Sequence, residues 1–288
     1  MLRAERLFSV AGKRVLLTGG GRGIGKMMAA GLLSNGAHVV IASRDEKALE
    51  AAVEELKSSI PDGGQCSALR ADLSSRAGCE KLVADYAAIE TGEPPRCDVL
   101  INNSGLAWGE PLDNESGKMN WGWDRVLDVN VKAPFYLTRA MRPLLRVAPA
   151  SDDGRDPARV INVGSVVGLV QQNVPTHAYD VSKAAMHHLT KKLAADLVRP
   201  EVEGARRITV NAIAPGYVLT KMSAGLSSWG ANEATLAAGV PLGRCGDVAD
   251  MVGITLYLSS PASSWVTGAI IPVDGGASGC MSIPVVPE

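Results

Sequence analysis

A tyrosine and a lysine four residues apart form a candidate pair for acid–base chemistry. Tyr179 and Lys183 fall within a predicted helix, residues 178–198, where this spacing places both side chains on one face. A tyrosine hydroxyl has a pKa of about 10 and is a poor base at neutral pH. A neighbouring ammonium group lowers that pKa by stabilising the phenolate. The pair therefore predicts proton transfer at a substrate oxygen.

Histidines near the same helix are a second possible source of acid–base or metal chemistry. His187 and His188 are adjacent, so they point to different faces of the helix and are poorly placed to chelate one metal. Packing explains them better, although His177 is a candidate for the pocket lining. Ser165 does not lie in a G-x-S-x-G elbow, which excludes a serine hydrolase. The scattered cysteines lack zinc-ligand spacing, and we expect no metal.

A glycine-rich turn is the candidate binding site for phosphate groups. The residues TGGGRGIG at 18–25 lie between a predicted strand and a predicted helix. Glycines let the backbone turn tightly and approach a pyrophosphate, and the N-terminus of a helix offers free N–H groups. The spacing Gly19-x3-Gly23-x-Gly25 is not GxGxxG. The position of the turn nevertheless predicts a dinucleotide site.

Short apolar runs alternate with longer amphipathic ones along the chain. The predicted strands are 13–18, 38–43, 66–71, 97–102, 158–164, 207–213 and 268–273. The predicted helices are 23–35, one from Asp45 to about 58, one after Ser74 or Ser75, 122–146, 178–198 and 246–259. Strands that are apolar on both faces are typically covered by helices on both sides. The pattern predicts an α/β fold, a Rossmann-type doubly wound parallel sheet of about seven strands with helices on both faces.

We find no linker that would divide the chain, so residues 1–288 are expected to form one domain with a core at about 12–276. Residues 147–157 are predicted to be a polar surface loop. Residues 217–240 form a long predicted loop, and such loops often act as substrate lids. The tail, residues 277–288, is expected on the surface.

The composition excludes several classes of function. A net charge of −1, from 29 basic and 30 acidic residues, and an aromatic content of 4% argue against nucleic acid or an anionic membrane as a partner. The first ten residues lack the apolar run of a secretory signal, and no apolar stretch reaches the ~18 residues of a membrane span. Five scattered cysteines indicate free thiols. We expect a cytoplasmic protein.

Several motifs, taken in order, resemble those of the short-chain dehydrogenase/reductase family, whose glycine pattern is TGxxxGxG. They are the glycine turn, Asp72-Leu73, Asn102-Asn103-Ser104-Gly105, Asn130 in LDVNVKAP, Ser165 in INVGS, Tyr179 and Lys183 in YDVSK, Pro215-Gly216, and Val273-Asp274-Gly275-Gly276. Ser104 departs from the NNAG of the family, which is a small change. The chain as a whole most resembles the branch of 3-oxoacyl reductases that includes the rhamnolipid-pathway ketoreductase.

The resemblance implies a catalytic group and a nicotinamide cofactor. Tyr179 is implied to protonate the substrate carbonyl oxygen, and Lys183 to lower the Tyr179 pKa and hold the nicotinamide ribose. Ser165 is implied to polarise the carbonyl, and Asn130 to hold a water that links Lys183 to solvent. The residues implied to bind the cofactor are Gly19, Gly21, Arg22, Gly23, Ile24, Ser43, Arg44, Asp72, Leu73, Asn103, Gly105, Tyr179, Lys183, Pro215, Gly216, Val218 and Thr220.

The end of the second predicted strand favours NADP(H) over NAD(H). NAD-binding folds usually place an acidic residue there to bind the ribose 2′-hydroxyl. This sequence has Ser43 followed by Arg44, and Arg22 lies in the glycine turn. Arginine pairs well with a 2′-phosphate. Asp45 is the alternative ribose ligand, but it is better explained as a helix cap.

The substrate is a small molecule whose pocket is expected to be apolar, which suits a ketone or β-ketoacyl group. The candidate lining residues are Gly105, Leu106, Ala107, Trp108, Gly109, Val167, Leu169, Val170 and the 217–240 loop with Tyr217, Met222 and Trp229. For Trp229, packing at a subunit interface or in a lid is an equally good explanation. Many family members are homotetramers through their long helices, so a tetramer or dimer is expected.

Three functions stay open at this point. The first is an NADPH-dependent ketoreductase. The second is an NAD(P)+-dependent alcohol or polyol dehydrogenase that works in the oxidative direction. The third is a non-enzymatic dinucleotide sensor, which is disfavoured because Tyr179 and Lys183 are both present. The Ser43-Arg44 pair favours the first.

Overall fold

A computed structural model of the chain describes residues 3–90, 92, 94–113, 119–148, 156–220, 230 and 232–280. Its strands are Arg14–Thr18 (β1), His38–Ser43 (β2), Cys66–Arg70 (β3), Val99–Asn102 (β4), Ala158–Val163 (β5), Ile208–Pro215 (β6) and Ile270–Val273 (β7). Its α-helices are Ala4–Leu7 (α1), Gly23–Ser34 (α2), Glu46–Ser59 (α3), Arg76–Ile89 (α4), Met119–Leu127 (α5), Ala133–Leu145 (α6), His177–Leu197 (α7), Glu233–Ala238 (α8) and Val248–Ser259 (α9).

The described strands form one sheet in the order β3-β2-β1-β4-β5-β6-β7, and every neighbouring pair is parallel. The predicted doubly wound sheet of about seven strands is confirmed. The strand order reverses direction between β1 and β4. At such a point two connections leave the sheet on opposite faces, and a crevice opens at the carboxyl ends of the strands.

A separate hydrophobic core covers each face of the sheet. Leu16 and Leu100 point into a core with Tyr86, which lies on α4, and with residues of α6 and α7. Leu17 and Ile101, one residue further along, point into a second core with residues of α2, α3 and α9. Successive residues of a strand face opposite sides, so both sets must be apolar. This arrangement explains the unbroken apolar runs in the sequence.

Local sequence signals set several helix boundaries as predicted. The Asp45 carboxylate caps α3 by accepting a hydrogen bond from the Ala48 N–H at 3.1 Å. Ser75 caps α4 in the same way. Gly36 follows α2 with φ of +79°, the left-handed conformation that glycine adopts most readily after a helix.

Other boundaries differ from the prediction. The single helix expected over 122–146 is interrupted by a π-helical turn, Asp128–Lys132, between α5 and α6. Pro134 lacks the N–H that a regular helix would donate to the Asn130 carbonyl. The N–H of the preceding residue, Ala133, bonds to the Asp128 carbonyl, which is the hydrogen-bond spacing of a π-helical turn. The predicted 217–240 loop contains the short helix α8, and the part at 221–229 and 231 lies outside the described residues. Of the described helices, none combines the length and apolar character needed to cross a membrane.

Candidate active site

A cleft of about 660 Å³ opens at the carboxyl ends of the strands. It is lined by every residue that the sequence analysis assigned to the cofactor, and by three of the four residues assigned to catalysis. Those lining residues are Gly19, Gly21, Arg22, Gly23, Ile24, Ser43, Arg44, Asp72, Leu73, Asn103, Gly105, Ser165, Tyr179, Lys183, Pro215, Gly216, Val218 and Thr220. The carboxyl ends of parallel strands meet at one edge, which brings together residues far apart in the sequence.

The glycine turn is packed so closely that Gly19 and Gly25 have no room for a side chain. Gly19 has φ of +72°, and a Cβ atom there would lie 2.7 Å from the Asn103 Nδ2. A Cβ atom at Gly25 would collide with the Gly19 carbonyl. The turn leads directly into the N-terminus of α2, whose first N–H groups lack partners within the helix. This cradle fits a pyrophosphate.

Thr18 joins the ends of β1 and β4, a role that the sequence analysis did not assign. Its hydroxyl oxygen accepts hydrogen bonds from the backbone N–H groups of Asn103 and Ser104, at 3.1 and 3.0 Å. The Asn103 side chain donates in return to the Thr18 carbonyl at 2.9 Å. The threonine that precedes the glycines was the available signal. These bonds fix the two loops that flank the strand-order reversal.

Two arginines stand at the end of the cleft formed by β2 and the glycine turn. Arg22 and Arg44 are both exposed, and neither forms a salt bridge with a described residue. Asp72 has a lowered pKa, chiefly because it accepts a hydrogen bond from the Ser74 N–H, with a further contribution from the Arg44 charge. Asp45 is occupied as the cap of α3. The arginines are therefore available to an anionic ligand.

Ser165, Tyr179 and Lys183 lie together in the cleft. Burial raises the pKa of Tyr179, while a hydrogen bond with Ser165 partly offsets this effect. The Lys183 Nζ lies 5.5 Å from the centre of the Tyr179 ring and donates to the Val163 carbonyl at 2.8 Å. Burial lowers the pKa of Lys183 to about 8. In this arrangement the Tyr179 pKa is raised, in contrast to the expected lowering by Lys183, because burial of the phenol outweighs the hydrogen bond with Ser165.

Asn130 lies behind the cleft, in the π-helical turn, and its side chain is fully hydrogen-bonded. The Oδ1 accepts from the Leu106 N–H at 2.8 Å, and the Nδ2 donates to the Leu106 carbonyl and to the Ser182 hydroxyl, both at 2.9 Å. These bonds tie the loop after β4 to α7. A Cβ atom at Gly105 would lie 3.4 Å from the Asn130 Oδ1 and 3.7 Å from the Lys183 Nζ, so the two residues meet beside Gly105.

The three histidines near Tyr179 lie in different environments. His177 and His188 are exposed, whereas His187 is buried against Gly164 and Gly168, on both sides of Ser165. Burial lowers the pKa of His187 to about 4, so it is neutral at physiological pH. In the described part of the chain, no group of three or more histidine, cysteine or acidic side chains is placed to hold a metal.

The wall expected to contact the substrate is only partly as predicted. Leu106, Ala107, Val167 and Tyr217 line the cleft. Trp108 instead packs against Gly122 of α5, and Leu169 and Val170 face solvent. Met222 and Trp229 lie outside the described residues. Gln172 and Thr176, which were not predicted, also line the cleft and make it more polar than expected.

Comparison with known proteins agrees with this geometry. The family described as enoyl-(acyl carrier protein) reductase matches residues 19–278. The chain is 37% identical to the rhamnolipids biosynthesis 3-oxoacyl-acyl-carrier-protein reductase of Pseudomonas aeruginosa, over 93% of this chain and 97% of that protein. It is 33% identical to the gluconate 5-dehydrogenase of Gluconobacter oxydans, over 94% and 96%. The active-site complex of Pseudomonas aeruginosa RhlG with NADP superposes with a TM-score of 0.82 at 38% identity, covering 94% of this chain and 98% of that one.

Proposed function

Because the chain belongs to the short-chain dehydrogenase/reductase family, we propose that it is an NADPH-dependent ketoreductase. Its substrate would be a ketone or β-ketoacyl compound, and Tyr179 would donate the proton. The observation that carries the proposal is the shared cleft, in which Ser165, Tyr179 and Lys183 face the glycine turn. The hydroxyl groups of Ser165 and Tyr179 beside a dinucleotide cradle suit the reduction of a carbonyl group.

The proton chemistry follows from the two hydroxyl groups. The raised pKa of Tyr179 means that the phenol keeps its proton at neutral pH, as a proton donor requires. Ser165 donates a hydrogen bond to the substrate carbonyl oxygen and holds it beside the phenol. Lys183, with its pKa near 8, is still mostly cationic at neutral pH and stabilises the phenolate that remains after proton transfer.

The cofactor would be held by the glycine turn and the residues around it. The turn at Gly19–Gly25 accepts the pyrophosphate at the N-terminus of α2, and Asp72 and Leu73 line the end of the cleft next to β3. When bound, NADPH supplies the hydride. The preference for NADPH over NADH is supported by the absence of a carboxylate at Ser43 and by the guanidinium groups of Arg22 and Arg44, which form no salt bridge with any residue that the structure describes.

The cofactor proposal is tested by the specificity constants for NADPH and NADH, measured with a panel of ketones and β-ketoesters. Arg44→Asp is expected to reduce kcat/KM for NADPH by about 10-fold or more and to affect NADH little, because charge-assisted bonds to phosphate are worth about 1.5–3 kcal/mol. Arg70→Asp is the matched control, since Arg70 is also exposed but does not line the cleft. Equal kcat/KM values for the two cofactors in the wild type would contradict the proposal.

An alcohol or polyol dehydrogenase working in the oxidative direction is the second candidate. It is favoured by the polar side chains of Gln172 and Thr176 in the cleft, and by the similarity to gluconate 5-dehydrogenase. Measuring both directions near neutral pH separates the two functions. Faster oxidation of polyols with NAD(P)+ than reduction of any ketone would favour this candidate.

A further inference from the structure

A polar cluster lies beside Tyr179 and has no part in the proton transfer described above. Gln172 donates from its Nε2 to the Thr176 hydroxyl at 2.8 Å and to the Asp180 carboxylate at 3.1 Å. The Thr176 hydroxyl donates to the same carboxylate oxygen at 2.8 Å. Thr176 is buried at the N-cap of α7, and Asp180 directly follows Tyr179 in the helix. Gln172 and Thr176 line the same cleft as Tyr179, so the cluster is fixed close to the reacting centre.

The hydrogen bonds determine which way the Gln172 amide is oriented. A carboxylate only accepts hydrogen bonds, so the amide atom that faces Asp180 must be the nitrogen. Both hydrogens of the Nε2 are used within the cluster, and the Thr176 hydroxyl has donated its single proton. In the described part of the chain, the Gln172 Oε1 is left without a donor. Gln172 thus brings a free acceptor to the lining of the cleft.

The surroundings of the Gln172 Oε1 make it selective for ligands that carry a hydrogen-bond donor. The lining residues Leu106, Ala107, Val166 and Val167 are apolar, and no described side chain donates a hydrogen bond to the Gln172 Oε1. A polar atom that loses water on binding and gains no partner weakens the complex, whereas a donor placed opposite it strengthens the complex. Because Thr176 and Asp180 already hold the amide, little side-chain entropy is lost when a ligand binds.

We propose that Gln172 binds a hydroxyl group on the substrate, on a carbon close to the carbonyl that Tyr179 protonates. The substrate class is therefore a hydroxylated ketone, or a diol when the reaction runs in reverse. This inference rests on the proposed oxidoreductase function and narrows its substrate. Thr176 and Asp180 are positioning residues, since they act through the Gln172 amide.

The test compares acetoin with 2-butanone, which differ by a hydroxyl next to the carbonyl. The kcat/KM with NADPH is measured for the full-length wild type, for Gln172→Met and for Gln171→Met. The wild type is expected to prefer acetoin, and Gln172→Met is expected to reduce that preference about 10-fold, the effect of one lost hydrogen bond. Gln171→Met is the matched control, because Gln171 is exposed and does not line the cleft, and it should keep the wild-type ratio.

Thr176→Val is a second variant, which keeps the Gln172 amide but removes the Thr176 hydroxyl that helps to hold it. We expect a smaller loss of the acetoin preference, mainly through a higher KM for acetoin. Thermal unfolding of each variant verifies that it is folded. If Gln172→Met does not fold, the acetoin preference of Thr176→Val decides the question.

The remaining outcomes separate this inference from the proposed function. An unchanged ratio in Gln172→Met would overturn the hydroxyl assignment, while continued reduction of the ketones would still support the ketoreductase. A loss seen only for the N-acetylcysteamine thioester of acetoacetate, and not for ethyl acetoacetate or acetoin, would mean that Gln172 binds an amide N–H instead. NADPH binding without oxidation by any of these four compounds would overturn the proposed function itself.

Discussion

The edge of the sheet where its strands begin and the edge where they end hold buried charge in opposite ways. At the amino-terminal edge, Asp98 and Arg206 form an ion pair at 2.7 Å, with both side chains only 2% exposed. At the carboxyl-terminal edge, Lys183 is 4% exposed, and its ammonium bonds to the Val163 carbonyl but forms no salt bridge with a described carboxylate. One edge pairs its buried charges, and the other leaves a buried cation unpaired.

The amino-terminal pairing extends along the starts of the strands. Asp156, just before β5, binds Lys13, just before β1, at 2.6 Å and also pairs with Arg159. Burial by itself would raise the pKa of Asp98, but the Arg206 charge and the hydrogen bond from the Arg14 N–H lower it overall. A buried pair is held in place because removing one partner leaves the other uncompensated.

The comparison predicts which edge stabilises the fold and which would perform the proposed chemistry. An unpaired buried ammonium costs stability, since burial favours its neutral form. The same ammonium is free to respond to a charge that forms beside it during a reaction. We expect substitutions at the amino-terminal edge to change stability, and substitutions at the carboxyl-terminal edge to change turnover.

The largest effect is expected for Tyr179→Phe. Loss of the proton donor should reduce kcat by about 10³-fold or more, because positioned acid–base groups contribute about 10²–10⁴-fold. The free energy of unfolding should change by less than about 1 kcal/mol, since only the hydrogen bond with Ser165 is lost. Steady-state NADPH oxidation and urea unfolding measure the two quantities. Turnover within 10-fold of the wild type would show that the acid has been misidentified.

Asp98→Asn is expected to have the opposite profile. It should lower the free energy of unfolding by about 3 kcal/mol or more, because the Arg206 charge stays buried without its closest partner. The kcat of the folded protein should be unchanged, since Asp98 lies at the edge of the sheet away from the cleft. Urea unfolding and NADPH oxidation on the same samples test this prediction. A loss of kcat without a loss of stability would break the distinction between the edges.

Much of the fold was predictable because its signals are local. The Asp45 cap, the Gly36 position after α2 and the apolar strands each depend on a few consecutive residues. The gathering of Ser165, Tyr179 and the glycine turn in one cleft also followed, since parallel strands place their carboxyl ends at one edge.

The features that were missed depend on contacts between distant residues. Asp98 and Arg206 are 108 positions apart, and neither has a neighbouring residue that predicts the pair. Trp108 is turned away from the cleft by the space beside Gly122, which the sequence could not show. The Gln172 amide depends on a loop that returns to the start of α7. Such pairings are set by tertiary packing and not by local pattern.

Lys183→Met is expected to raise the stability of the cofactor-free protein while abolishing efficient turnover. Burial lowers the Lys183 pKa from 10.5 to about 8, a shift that corresponds to about 3 kcal/mol of destabilisation when the lysine is charged. Below pH 8 both the folded and the unfolded lysine carry a proton, so this cost is fully present. As the pH rises from 8 to 10.5, the folded lysine loses its proton first and the cost disappears.

The difference in unfolding free energy between Lys183→Met and the wild type therefore has a defined pH dependence. It should fall from about 3 kcal/mol at pH 7 to below about 1 kcal/mol at pH 10. Using the difference cancels the titration of the other lysines. Urea unfolding at both pH values measures it. Lys192→Met, on the exposed face of the same helix, is the control and should show no such dependence. A stability gain that is independent of pH would mean that Lys183 is not a buried unpaired charge.

The smallest change in the free energy of unfolding is expected for an ion pair that lies at neither edge. This pair tests whether burial or pairing distance determines how much an ion pair stabilises the fold. Lys81 and Asp85 on α4 approach to 2.6 Å, about as close as Asp98 and Arg206, but their side chains are 72% and 32% exposed. Lys81→Ala should change the free energy of unfolding by less than about 0.5 kcal/mol, because water solvates the remaining carboxylate. Urea unfolding beside Asp98→Asn makes the comparison direct. A loss as large as that of Asp98→Asn would mean that pairing distance, rather than burial, distinguishes the amino-terminal edge.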